Sequence, residues 1–352
     1  SALKDDDHIR DFELMTEMGV TAIRLAHYPQ AKRMFDLADR NGIIIWEEIP
    51  FVSSYSALPT FDQHLKQQLK EMVYQNYNHP SIMFWGLFNE VMADFTPILV
   101  ELDNLSKSID PSRMTVCATF RDGDYNFVTD ALAWNKYFGW YDPHTDEFGT
   151  FFDNYHREHP STRLAVSEYG AGSGLEQHVS RYREDGSYVA PGGRFHPMEK
   201  QTSVHRKHLR MIAERPYLWA SFIWNMFDFG SSNRREGEMN NVNDKGLVSY
   251  DREIKKDAFY LYKANWNKEE TTFHLCSKDY TQRSESLTDI IVFTTAPSVT
   301  LFHDGKKVGS KKTDSSATVE WADYRLHPGQ NKISVVSSHG REDVIWTVTA
   351  SR

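Results

Sequence analysis

Two hydrophobic periods alternate along residues 5–266, and each switch between them predicts a change of element. Ile9, Phe12, Met15 and Met18 recur at helical spacing, and Gly19 follows as a stop. Residues 21–27 then read as a strand that runs into His27-Tyr28-Pro29. Ala31, Met34, Phe35 and Ala38 fall on one helical face, closed by Asn41-Gly42, and residues 43–46 are a short apolar strand. Phe61, Leu65, Leu69, Met72 and Val73 stripe the next helix. The run 82–91 begins as a buried strand and ends with an amide and a carboxylate side by side, Asn89-Glu90.

The alternation continues. Ile98, Leu102, Leu105 and Ile109 mark a helix that stops before Pro111, and residues 114–120 and 131–137 read as strands. Phe148, Phe151, Phe152 and Tyr155 stripe a helix before Pro160, and the strand 164–170 delivers a second glutamate, Glu168. Residues 170–197 have little periodicity, and loops of that length usually carry function or are disordered. A helix around 201–214, a strand 219–224 and a helix carrying Ile254, Ala258, Leu261 and Tyr262 complete the pattern.

Strands interleaved with helices imply an α/β fold of parallel strands, each covered by a helix. A (β/α)8 TIM barrel needs eight strands; this pattern supplies seven and opens on a helix, so the absent member is the first strand. The chain therefore reads as a piece of a longer protein, cut just after that strand. A barrel edge left open exposes unpaired backbone groups, so the gap is expected to be covered by residues 1–5, by a partner chain, or by the strand itself upstream.

From residue 271 the pattern becomes short and β-rich, with runs at 290–293, 299–302, 332–336 and 344–348. Asp304-Gly305 is a hairpin signal and Pro328-Gly329 marks another turn. The expected organisation is a barrel over 1–268 and an all-β sandwich over 269–352, packed against it without a long linker.

Composition narrows the functional classes. The net charge is −9 with no long basic run, which argues against a nucleic-acid partner. No stretch approaches the ~20 apolar residues of a membrane span, and the polar opening of the chain is no signal peptide. Cys117 and Cys276 are the only cysteines and fall in different predicted domains, so neither a disulfide framework nor a CxxC metal site is expected. The compartment stays open. Nine Trp and seventeen Tyr fit large cores or aromatic platforms for a flat ligand such as a sugar ring.

Five segments, in order, carry a family resemblance: residues 23–29 (IRLAHYP), 46–50 (WEEIP), 85–90 (WGLFNE), 167–170 (SEYG) and 222–229 (FIWNMFDF). Together they resemble the C-terminal half of glycoside hydrolase family 2, the β-galactosidase and β-glucuronidase family. The β-rich tail looks like the immunoglobulin-like domain that follows the barrel in some members. The resemblance implies two β-sandwich domains upstream in the parent protein, a carbohydrate substrate and, in some members, a homo-oligomer. It also implies a first barrel strand with an Arg/His-bearing loop, not seen here.

The resemblance implies a retaining exo-β-glycosidase working by double displacement. Such enzymes hold two carboxyl groups about 5 Å apart across the scissile bond. Glu90 matches the acid/base and Glu168 the nucleophile. Asn89 would donate to a sugar 2-hydroxyl, Tyr137 would hydrogen-bond the nucleophile, and Trp224 would stack on the sugar. His27 and Arg24 match residues near the nucleophile and the sugar hydroxyls, and Glu47 is expected to hold a water or a hydroxyl. Some β-galactosidases bind Mg²⁺ through Glu-x-His; Ile49 stands where that His would be, so no metal and no cofactor is carried over. His205 and His208, beside Arg206 and Lys207, read as a solvated helix face. For the sugar, galactoside is the first expectation and glucuronide the second, because Asn243-Asp244-Lys245 spells the Asn-x-Lys that holds a sugar carboxylate in glucuronidases. A different class, a catalytically silent fragment or carbohydrate-binding scaffold, follows from the missing strand.

Overall fold

The computed structural model describes residues 3–184 and 190–349. Helix α1 (Asp5–Met18) opens with three aspartates, whose charges complement the positive end of the helix. It ends at Gly19, φ 86°. A side chain there would strike the backbone of Asn267, just past the last barrel helix. That close approach, with Asn267 Nδ2 donating to Glu17 O at 2.8 Å, ties the first helix to the last.

Seven strands form one parallel sheet in sequential order: β1 (Ala22–Leu25), β2 (Ile44–Glu48), β3 (Ile82–Asn89), β4 (Met114–Thr119), β5 (Ala131–Asn135), β6 (Leu164–Tyr169) and β7 (Leu218–Ile223). Between them run α2 (Lys32–Asn41), α3 (Phe61–Asn76), α4 (Thr96–Ile109), α5 (Glu147–Glu158) and α6 (Met198–Ala213); α7 (Asp257–Trp266) follows β7. The sheet curls into a nearly closed TIM-like barrel. Its outer face packs on the helices through residues such as Leu69, Leu87, Leu102, Phe148 and Leu261. Its interior is a separate cluster, with Trp46, Phe84 and Phe222 filling space beside Val116, Ala118, Ala133 and Ala165.

The strand count matches the sequence pattern, and so does the place of the gap. Among the described residues β1 pairs only with β2, and β7 only with β6. Between them lies a cavity of about 520 Å³ lined by Ala22, Ile44, Phe84 and Phe222, and a second of about 200 Å³ lined by Arg24, Leu25, Ile223 and Met15. Leu3 to Asp5 lead into α1 and line neither cavity; residues 1 and 2 lie outside the described residues.

Two two-residue strands, β8 (Phe229–Gly230) and β9 (Val242–Asn243), form a small hairpin ladder above the barrel mouth. The tail holds β10 (Phe273–Leu275), β11 (Gln282–Arg283), β12 (Leu287–Thr294), β13 (Ser298–His303), β14 (Lys306–Lys312), β15 (Thr318–Arg325), β16 (Gly329–Ser337) and β17 (Gly340–Val348). They make two mainly antiparallel sheets, β10-β12-β15 and β11-β17-β16-β13-β14, around Val292, Leu301, Val319, Val335 and Trp346. Asp304 and Gly305 both have positive φ, 49° and 76°, as a two-residue hairpin turn requires. Strands β10, β11 and β15 were not foreseen; the first two are too short for a period to show. The sheets bear on the barrel through buried and charged pairs: Asp257 with His274 at 2.7 Å and Arg206 with Glu320 at 2.7 Å.

Candidate active site

Glu90 leaves the end of β3 with φ 53°, a left-handed backbone rare for a residue with a side chain. Its N–H donates to Ala118 O at 2.9 Å, and its Oε1 accepts from Asn135 Nδ2 at 2.9 Å. Burial raises its pKa, and the negative charge of Glu168 raises it further. Glu168, on β6, is 5% exposed. Arg24 Nη1 donates to its Oε1 at 2.8 Å and the Tyr137 hydroxyl to its Oε2 at 2.6 Å, so both oxygens are held by donors. Tyr137 itself is pushed well above the usual phenol range, by burial first and then by Glu168.

Arg24 organises this floor from inside the barrel. Its side chain is 3% exposed and lies over the Trp46 ring at 4.7 Å. Nε and Nη2 donate to the two oxygens of Glu48, both at 3.0 Å, and Nη2 also reaches Asn89 Oδ1 at 2.9 Å. Burial pushes Glu48 up, but Arg24 and His27 outweigh it and hold its carboxyl below the ordinary value. His27 Nδ1 lies 2.8 Å from Glu48 Oε1, and its ring stacks on Trp224 at 5.1 Å and 16°. Arg24, His27, Asn89, Glu90, Tyr137, Glu168 and Trp224 thus come together.

Glu47 does not join them, which corrects the sequence expectation. Side chains alternate along a strand. On β2, Trp46 and Glu48 point into the barrel, where a side chain at Gly86 would strike both. Glu47 points outward to α3 and is fully buried, with Asn76 donating to one oxygen at 2.9 Å and the other oxygen unpartnered. Burial pushes its pKa up to about 8. The glutamate that reaches Arg24 and His27 is its neighbour, Glu48. Alternation relative to Trp46 was the signal that could have found it.

Glu90 and Glu168 face a cavity of about 520 Å³ whose wall also holds Phe120, Tyr141, Arg234 and Lys245. Lys245 is 2% exposed, with Nζ 5.3 Å from the ring centres of both Trp140 and Tyr141. The backbone around it is clamped. Lys256 Nζ donates to Asp244 O, Ser173 O and Asp228 Oδ1, each at 2.9 Å. Gly246 N donates to Asp228 Oδ1 at 2.8 Å, and His196 Nδ1 lies 2.6 Å from Asp244 Oδ2. Burial pushes Asp228 up to about 6 despite Lys256. Sequence reasoning missed Glu48, Asn135 and this clamp, whose members are far apart in the chain.

His205 and His208 are also corrected: both are fully buried, not solvated. Helix α6 turns the face of Gln201, Val204, His205 and His208 toward the barrel. Arg206 and Lys207 point away to Glu320 and Glu184. His205 Nδ1 meets Tyr262 OH at 2.8 Å, the His208 ring packs at a tilt against Phe148 with centres 4.4 Å apart, and burial pushes both pKa values down to about 3.

Residues 1–270 match the TIM barrel domain of the glycosyl hydrolases family 2, and residues 285–344 match a domain of unknown function. A β-glucuronidase of Bacteroides fragilis is 45% identical over 349 residues, covering 96% of this chain and 49% of that protein. The crystal structure of a putative β-galactosidase from the same species superposes with a TM-score of 0.92 at 29% identity, covering 100% of this chain and 53% of the other. Bacteroides uniformis β-glucuronidase 2, covalently bound to cyclophellitol-6-carboxylate aziridine, gives 0.87 at 30% identity, over 99% of this chain and 44% of the other. The chain thus spans about half the length of the relatives it matches. With the barrel, the paired glutamates and the family match in agreement, the chain belongs to glycosyl hydrolase family 2.

Proposed function

We propose that this chain carries the catalytic barrel, over 1–268, of a retaining exo-β-glycosidase that removes terminal β-glucuronosyl groups, with a β-sandwich over 269–352. The observation that carries the sugar is Lys245. Its ammonium group lies at the wall of the cavity that holds Glu90 and Glu168, two residues after Asn243, whose Oδ1 accepts from the Lys245 N–H at 3.2 Å. A cation held against aromatic faces in a buried wall suits a sugar carboxylate. The glucuronidase named among the relatives supports the same reading. Glucuronide therefore moves ahead of galactoside.

In this reading Glu168 attacks the anomeric carbon as its carboxylate while Glu90 gives its proton to the glycosidic oxygen, and the aglycone leaves as the alcohol. The glycosyl–Glu168 ester is then opened by water, whose proton returns to Glu90 as its oxygen bonds to the anomeric carbon. Arg24 and Tyr137 hold Glu168 in place for both steps. Asn89 Oδ1 is taken by Arg24 and Asn135, at 2.9 and 3.2 Å, which leaves its amide nitrogen for the sugar 2-hydroxyl. Trp224 offers a face to the ring.

Nitrophenyl β-glucuronide and β-galactoside, assayed on this chain and on a version extended upstream, test the reading. Preferred turnover of the glucuronide by the extended protein is expected. Preference for galactoside would favour the second sugar, which the putative β-galactosidase neighbour keeps in view. No turnover of either by the extended protein would favour the silent, carbohydrate-binding alternative.

A further inference from the structure

Away from the barrel mouth, three side chains converge at one end of the β-rich tail. Asp304 sits in the turn joining β13 to β14, His303 precedes it, and His327 lies between β15 and β16. Asp304 Oδ2 is 2.7 Å from His327 Nε2 and 3.7 Å from His303 Nε2. The two imidazoles are parallel within 7°, with centres 5.3 Å apart. The other Asp304 oxygen accepts the Lys332 N–H at 2.9 Å, which fixes the carboxylate independently of the histidines.

The hydrogen bonds decide the tautomer of His327. Its Nδ1 lies 2.9 Å from the carbonyl oxygen of Pro328, a group that only accepts, so Nδ1 carries the ring proton. In the neutral ring Nε2 is then a bare lone pair aimed at a carboxylate oxygen 2.7 Å away. Two acceptors at that distance repel, so in this geometry a second proton lies between them, and a metal ion could take its place once the pair opens by about 0.6 Å toward the tetrahedral spacing. Metal-bound histidines characteristically donate their other N–H to a backbone carbonyl in this way.

We propose that His303, Asp304 and His327 form a binding site for a divalent cation of the Zn²⁺ type. Ligand atoms on a tetrahedral Zn²⁺ at about 2.0–2.1 Å stand about 3.3 Å apart. The observed 2.7 and 3.7 Å straddle that value. Two imidazoles and one carboxylate favour Zn²⁺ over the oxygen-seeking Mg²⁺ or Ca²⁺. His327 and Asp304 are 48% and 45% exposed, so the ion enters from solvent and keeps water on its open side. His303 must adjust. Its Nε2 lies 2.9 Å from Asn331 Oδ1, whose amide nitrogen is committed to the carbonyls of His327 and Gly329. For Nε2 to face the ion, the ring proton moves to Nδ1 and the Tyr324 hydroxyl, 3.0 Å away, turns from donor to acceptor. Nε2, then a bare lone pair, must also swing away from Asn331 Oδ1, which keeps the His327 N–H at 2.9 Å and so is not left unpartnered. The bound ion would pin the β13–β14 turn to the loop before β16.

The test is titration of the metal-stripped full chain with Zn²⁺ by calorimetry, and with Co²⁺ by absorbance. One equivalent is expected, with an imidazole–carboxylate Co²⁺ spectrum, and His327→Gln and Asp304→Asn should each weaken binding by about tenfold or more. His339→Gln should change nothing, and Cys276→Ser should keep the site. That last variant matters because Asp257, His274 and Cys276 form another close trio, in the interior. A thiolate charge-transfer band in the Co²⁺ complex of the unmodified chain would assign the ion to that trio and overturn the proposal. So would absence of binding, or binding that survives both His327→Gln and Asp304→Asn unchanged.

Discussion

The hydroxyl of Tyr137 donates to Oε2 of Glu168 at 2.6 Å, opposite the oxygen held by Arg24. A hydrogen bond to a charged group contributes about 1.5–3 kcal/mol. Tyr137→Phe removes it without opening a cavity, so kcat/KM on a nitrophenyl glucuronide should fall about 10- to 100-fold while circular dichroism is unchanged. A change within about a factor of two would mean that Arg24 alone positions the carboxylate.

The adjacent glutamates of β2 should respond in opposite ways. Glu48→Gln weakens the hold on both Arg24 and His27 and should cost turnover heavily. Glu47→Gln should leave turnover alone, because a buried carboxyl with pKa about 8 is already neutral at pH 7. The sign of its pH effect follows. With the folded pKa above the unfolded one, the folded state binds the extra proton between about 4.5 and 8, so stability falls as pH rises through that window. Thermal unfolding of Glu47→Gln should show a shallower decline over that range. A parallel decline would place the responsible group elsewhere.

Glu90 provides the pH limb and the leaving-group test. Its pKa is raised by burial and by Glu168, and the acid form is the one that donates, so kcat/KM should fall as pH rises through that raised value. Glu90→Ala should remove that limb and spare substrates with activated phenolate leaving groups, which need little protonation. Equal loss on activated and unactivated glucuronides would contradict the acid role.

Most of this arrangement was legible in the chain. The seven strands, the position of the gap and the hairpin at Asp304-Gly305 follow from period and turn chemistry, which are local. Glu90 and Glu168 could be placed at strand ends because each lies inside a family segment, and Tyr137 because it closes the predicted strand 131–137. Glu47 was misjudged because a motif fixes spacing along the chain but not which face a side chain takes. His205 and His208 were misjudged because two cationic neighbours suggested a wet face, while the helix turns them about 100° away. The ties among Lys256, Asp228 and Asp244 depend on tertiary contact, and nothing near Lys256 in sequence announces them.

That clamp gives the most specific expectation. Lys256 Nζ holds the backbone at Asp244 and Ser173 and the carboxylate of Asp228, which in turn holds Gly246, so Lys245 is bracketed on both sides. Lys256→Met leaves Asp228 buried without its partner, and breaking such a pair costs about 3–5 kcal/mol. Part of that cost is relieved when Asp228, already raised to about 6, takes a proton and Gly246 loses a charged acceptor. The segment 243–246 should loosen, and Lys245 with it. Loss of Lys245's position matters only to a sugar that carries a carboxylate. In a protein extended upstream, KM for a β-glucuronide should therefore rise while kcat is less affected, and any turnover of the matching β-glucoside should change little. The double variant Lys256→Met/Asp228→Asn removes the orphaned charge and should recover thermal stability without recovering the glucuronide preference. An equal loss on both sugars, or a preference restored along with stability, would mean that the clamp supports the barrel as a whole and not the position of Lys245.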